Sequence, residues 1–147
     1  MIVNDILKQK GYFLIGVGPQ ATIAEAAAIM RREQVGALVV LSDEGAFRGI
    51  VSEREIVAEL ATRGSWSAEL PVQAIMATSV PLAGPQDSVA ELMEAMTAHR
   101  ARHIPVVQDG AVIGIVSVGD AVKFRLEEKV VENAVLRDMA RARLMAA

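Results

Sequence analysis

Cysteine is absent from the 147-residue chain. That excludes a disulfide framework, a thiolate metal site and a cysteine nucleophile. Histidine occurs only at His99 and His103, too little for an imidazole metal centre. Aromatic residues make up 3% of the chain: Tyr12, Phe13, Phe47, Trp66 and Phe124. The stacking platforms of single-strand nucleic-acid binders are therefore missing. A basic balance is missing too: Lys plus Arg is 15 against 18 Asp plus Glu, a net charge of −3. The reading is therefore no nucleic acid as partner. No apolar run approaches the roughly 20 residues of a membrane span, so no membrane is expected either. The first thirteen residues lack the basic start and apolar run of a secretory leader. The expected location is cytoplasmic.

What the chain has in quantity is aliphatic side chain, within a hydrophobic fraction of 52%. Its length suffices to bury a core without staples. It also repeats itself. Pro19-Gln20-Ala21-Thr22-Ile23-Ala24-Glu25 aligns with Pro85-Gln86-Asp87-Ser88-Val89-Ala90-Glu91 at an offset of 66. Leu38-Val39-Val40 falls on Pro105-Val106-Val107 at 67, and Gly49-Ile50-Val51-Ser52 on Gly114-Ile115-Val116-Ser117 at 65. Upstream, Val3-Asn4-Asp5-Ile6-Leu7 aligns with Val72-Gln73-Ala74-Ile75-Met76 at 69. Two long copies are too few for a solenoid and predict a pseudo-symmetric pair.

Each copy predicts the same elements. Thr22 and Ser88 are N-caps, each with a glutamate three residues on, the capping-box pattern. Ile23, Ala26, Ala27 and Met30 then share one helical face, as do Val89, Leu92, Met93 and Met96. The apolar runs 37–41 and 104–107 predict buried strands. Each is followed by a turn and a second strand, at 47–51 and 112–116, and Asp109-Gly110 is a hairpin signal. Ser52 and Ser117 can each cap the helix that follows. The unit is strand, helix, hairpin, helix, with a linker at 66–71. Beyond Asp120, Val131, Val135 and Met139 recur at i, i+4 and i+8 in a charged helix. That stripe either packs on its own domain or meets a dimer partner.

The strand-to-helix junction carries the chemistry. In Gly114-Ile115-Val116-Ser117-Val118-Gly119-Asp120 a hydroxyl and a carboxylate sit three apart where a helix N-terminus exposes N–H groups and partial positive charge. A carboxylate there can accept both hydrogen bonds of a vicinal diol. The same pair also reads as an ordinary helix cap.

With its tandem copies, the chain resembles a pair of CBS domains, the Bateman module. The family pattern is an aliphatic strand ending Gly-Ile-Val, then Ser or Thr, two residues, and Asp. Copy two matches it fully. Copy one, Gly49-Ile50-Val51-Ser52-Glu53-Arg54-Glu55, has glutamate for aspartate. His103-Ile104-Pro105-Val106-Val107 is also typical. The resemblance covers about residues 3–127, and both junctions look like those of stand-alone bacterial two-CBS proteins. It implies an α/β (α+β) fold: two CBS repeats, 1–66 and 67–127, each a small sheet with two helices, and a helical tail at 128–147.

It further implies clefts that take an adenosine-containing small molecule: AMP, ADP, ATP or S-adenosylmethionine. By the resemblance, Asp120 would hold the ribose hydroxyls, Ser117 and Gly119 the phosphate side, and Val80 the adenine. Arg102, His103 and Ile104 would face the nucleotide. The copy-one equivalents are Leu14, Gly36, Ala37, Ser52, Arg54 and Glu55. Arg54 and Lys123 are candidate phosphate partners. Uncharged Gly36 and Ala37, and the longer Glu55, rank that cleft second. No cofactor is required, the expected partners are the ligand, a second copy as homodimer and an unidentified protein, and no enzyme activity is expected. His99 and His103 lie four apart but lack a third metal ligand. Gly16-Val17-Gly18-Pro19 lacks the lysine of a phosphate loop. The rival reading is a structural dimerisation module with non-binding clefts.

Overall fold

The computed structural model describes residues 1–146. Helix α1 (Val3–Lys10) leads to the short strand β1 (Gly16–Val17), α2 (Ile23–Glu33), the hairpin β2 (Ala37–Leu41) and β3 (Phe47–Ser52), and α3 (Glu53–Arg63). The second half holds α4 (Val89–Ala98), the hairpin β4 (His103–Gln108) and β5 (Ala111–Ser117), and α5 (Val118–Ala146). None of the described helices is long and apolar enough to cross a membrane.

The predicted caps form. Thr22 Oγ1 accepts from the Glu25 N–H at 3.1 Å while the Glu25 carboxylate accepts from the Thr22 N–H at 3.0 Å. Ser88 and Glu91 repeat this at 3.0 and 3.1 Å. Each box satisfies two N–H groups that a helix start leaves unpaired. Asp109 and Gly110 turn the second hairpin with φ of 52° and 78°, the handedness a tight hairpin needs.

The first sheet has order β1-β2-β3, with β1 parallel and β3 antiparallel to β2. The second contains only the antiparallel pair β4-β5. Here the expected repeat of strand, helix, hairpin, helix needs correction. The counterpart of β1 is one parallel bridge, Ala83 to Val106. Pro81 and Pro85 bracket Ala83, and neither has an N–H to extend the ladder. The linker expected at 66–71 is also more than a connection. A 3-10 helix spans Gly64–Glu69, and fully buried Ser67 donates its hydroxyl to the Glu59 and Gly64 carbonyls at 3.0 and 2.8 Å.

Two aliphatic cores form, and they exchange segments. Val3, Ile6 and Leu7 of α1 pack among Val89, Leu92, Met96, Ile104, Val106 and Val116 of the second half. Reciprocally, Val72, Ile75 and Met76 pack with Ile23, Met30, Leu38 and Val51 of the first. The backbone stitches both exchanges alike. The Val3 and Asn4 N–H groups donate to the Asp87 and Pro85 carbonyls at 2.8 and 2.9 Å. Their repeat equivalents, Val72 and Gln73, donate to Ala21 and Pro19 at 2.8 and 3.1 Å. Each half is closed by the segment that precedes the other.

Candidate functional site

A groove of about 430 Å³ lies between the halves, within the range of small-molecule sites. Two features of the backbone build it. The Glu53 N–H donates to the Gly36 carbonyl at 3.0 Å, and at the equivalent place the Val118 N–H donates to the Arg102 carbonyl at 2.9 Å. Each bond holds a helix N-terminus beside its own hairpin, and the N-termini of α3 and α5 both line the groove, where their dipoles present positive charge. The strap after Met76 forms the third wall. Ala77 exchanges two backbone hydrogen bonds with Ile50, at 2.9 and 2.8 Å, which brings Ser79, Val80 and Pro81 to the lining.

Copy one contributes Gly36, Ser52, Arg54 and Glu55 to this lining; copy two contributes Arg102, His103, Ser117 and Gly119. Residues assigned from sequence to two clefts thus share one groove, with Val80 among them. Leu14, Ala37, Ile104, Lys123 and Asp120 are not part of the lining. Ala37 and Ile104 are core residues, at 4% and 0% exposure.

Asp120 is engaged elsewhere. It closes the cap of α5: its carboxylate accepts from the Ser117 N–H at 2.9 Å, and its own N–H donates to the Ser117 hydroxyl at 3.1 Å. The ammonium of Lys10, at the end of α1, lies 2.6 Å from the same carboxylate oxygen and also donates to the Ile115 carbonyl at 2.7 Å. Burial pushes the Asp120 carboxyl up, but the bonds from Lys10 and Ser117 outweigh it and hold the group below its ordinary value.

The halves differ at this point. Ile50 receives its hydrogen bond from the Ala77 backbone, whereas its equivalent Ile115 receives one from a lysine side chain. The cause is length. Helix α1 runs eight residues, while its repeat equivalent makes only a three-residue 3-10 turn at Val72–Ala74. The extra turns carry Lys10 to the Asp120 side; the shorter segment leaves the Glu55 side to the strap. In that half the Glu55 carboxylate accepts from the Ser52 N–H at 2.8 Å and from the Ser52 hydroxyl.

Three arginines, Arg54, Arg100 and Arg102, line the groove against Glu53 and Glu55, together with His99 and His103. Arg54 also reaches across the halves to the Arg100 carbonyl at 3.5 Å. A Cβ on Gly36 would sit 3.4 Å from the His103 ring and 3.6 Å from the Glu53 carboxyl carbon, so glycine keeps that floor open. Among the described residues, no cluster of three or more His, Asp or Glu side chains could hold a metal.

Sequence reasoning missed Lys10, Glu53, Ser79 and Arg100. The His99-Arg100-Ala101-Arg102-His103 run was the available signal for Arg100. Its density of cation is the mark of an anion site when it faces a cavity. Lys10 has no local signal, because its partners lie more than a hundred residues away.

His103 sits below its ordinary value, first through burial, then through Arg102 and Lys10, against opposing pulls from Glu53 and Asp120. A depressed imidazole binds its proton more readily unfolded than folded. Its contribution to stability is therefore complete above about pH 6.5, and it is lost as pH falls from there through the lower folded value. The melting temperature of the wild type is expected to fall more between pH 7.5 and 5.5 than that of His103→Gln. Parallel curves would overturn the assignment.

The sequence profile of the CBS domain matches residues 13–62 and 72–127. A mitochondrial CBS domain-containing protein of Arabidopsis thaliana is 34% identical over 86% of this chain, which spans 65% of that relative's length. A CBS domain-containing protein of Bacillus subtilis is 32% identical over 71% of this chain and 73% of its own. Among solved structures, a CBS-domain containing protein from Agrobacterium tumefaciens superposes with a TM-score of 0.83 at 38% identity. It covers 85% of this chain and 99% of its own.

Proposed function

The chain belongs to the CBS-domain family, and from that premise we propose that it is a ligand-sensing module. It takes an adenosine-containing nucleotide in the groove between its repeats and signals by a change in their arrangement, to a partner or through its own dimer. The observation that carries this reading is the groove itself, lined from both halves and fed by two helix N-termini and three arginines. A ligand there touches both repeats at once, so its affinity differs between their arrangements. That difference is the only lever by which binding can shift a conformation.

The lining favours a phosphate-bearing ligand. Arg54 and Arg102 supply charge-assisted bonds to phosphate, Val80 an apolar surface for a base, and Glu55 an acceptor for ribose hydroxyls. AMP, ADP and ATP fit this chemistry better than S-adenosylmethionine, whose sulfonium gains nothing from three arginines. A solved CBS domain pair with a TM-score of 0.76 and 23% identity is a complex with methylthioadenosine and S-adenosyl-L-methionine, which supports the adenosine part. Asp120 remains with Lys10, so the Glu55 side is the binding side. No step of this function is catalytic.

The test is a thermal melt against AMP, ADP, ATP and S-adenosylmethionine. A ligand at a hundred times its Kd contributes about 2.7 kcal/mol, a shift of several degrees. Arg102→Ala is expected to weaken binding by roughly 10- to 100-fold, the loss of about 1.5–3 kcal/mol in one charged hydrogen bond. No shift with any compound at millimolar concentration overturns the sensing reading. The second reading, a dimerisation module that needs no ligand, would then stand, favoured by the exposed apolar residues of α5.

A further inference from the structure

Helix α5 contains 29 residues, about 43 Å at 1.5 Å per residue. Its first turns belong to the body: Ala121 is 1% exposed in the second core, and Phe124 packs against it. At about 100° per residue, the same arc continues through Val131, Val135, Met139 and Ala142. There it faces nothing, with Val131, Val135 and Met139 exposed by 64%, 47% and 63%. An apolar stripe on a helix is there to be buried.

The net charge at each end of the exposed segment identifies its occupant. Between residues 127 and 132 lie Glu127, Glu128 and Glu132 with one cation, Lys129; between 137 and 143 lie Arg137, Arg141 and Arg143 with one anion, Asp138. One end of the exposed segment is thus acidic and the other basic. A parallel partner would set like charge on like; an antiparallel copy sets each end on its complement. The midpoint between the two blocks falls at Val135.

We propose that α5 pairs antiparallel with α5 of a second copy, with Val135 at the two-fold axis. The proposal rests on the self-association reading above and specifies its surface. Val131 of each chain then meets Met139 of the other, and the net-acidic end of each helix lies along the net-basic end of the other, with Glu127 of one level with Arg143 of the other. Such an arrangement holds the two modules on opposite sides of a short helical stem, where a change in one repeat pair is felt through α5 by the second.

The absence of native cysteine makes the register measurable. Val131→Cys, Val135→Cys and Met139→Cys are made in the full chain; all three sites are exposed, so the fold is spared. Under mild oxidation Val135→Cys is expected to link to itself. Val131→Cys and Met139→Cys each remain unlinked alone, because their own copies lie about 12 Å apart along the axis, beyond disulfide reach of about 7 Å. Mixed together, they link. Efficient self-linking at all three positions means a parallel pair and overturns the proposal. No linking in a chain that light scattering finds dimeric overturns it too, but leaves self-association through another face. A monomer at every concentration removes both. Val135→Lys checks the same surface without oxidation, by a dissociation constant raised at least tenfold.

Discussion

Leu7→Ala is expected to lower the melting temperature by about 6–20 °C. The figure combines about 2–5 kcal/mol for emptying a buried leucine site with about 3–4 °C per kcal/mol for a chain of this size. In sequence the residue stands far from the second half, in α1, ahead of the first half's strands. Yet it is 1% exposed and packs in the core of the second half. Its Cδ2 lies 2.9 Å from where a Cβ on Gly114 would stand, so leucine and glycine are fitted to each other across the exchange. The neighbours cannot readily collapse into the space, because β5 is fixed by its pairing with β4. A drop of less than about 2 °C would mean that α1 does not close that core.

Gly49→Ala is expected to damage the groove from outside it. A methyl at 49 would stand 2.6 Å from the Ala77 carbonyl oxygen and 3.1 Å from the Met76 thioether. The backbone cannot yield there without breaking the two bonds between Ala77 and Ile50 that seat the strap. Overpacking of this kind costs about 1–3 kcal/mol, and the strap carries Ser79 and Val80 into the lining. Both the melting temperature and the ligand-induced shift should fall. Gly18→Ala is the control, since nothing lies within 4 Å of its Cβ position and the change should be close to neutral. If Gly49→Ala melts like wild type and keeps the ligand shift, the strap does not shape the site.

The repeat made much of this fold legible. The capping boxes at Thr22 and Ser88, both hairpins and the final helix follow from local spacing, and local spacing is what periodicity reports. The groove was legible in its parts: Ser52, Glu55, Arg102, His103 and Ser117 all stand at the junctions where they were sought. Which parts face one another was not. The segments beginning at Val3 and Val72 carry the same apolar pattern, so either could close either core. Only long-range packing decides, and it crosses them. The engagement of Asp120 by Lys10 has the same origin. It depends on α1 running longer than its equivalent, which becomes consequential only once the exchange has placed α1 on the second half.

The exchange also sets an order of events during synthesis. The first core is complete once the chain reaches Met76. The second waits, because its opening pieces, Val3, Ile6 and Leu7, are made first, while Val116 and Ala121 are made last. At roughly 5–20 residues per second, the nascent N-terminal segment stays unburied for on the order of ten seconds. Early translation therefore exposes an apolar helix with no place to dock, and the second half cannot mature without the first residues of the first. The two repeats are copies in sequence, but neither is a unit the ribosome can finish alone.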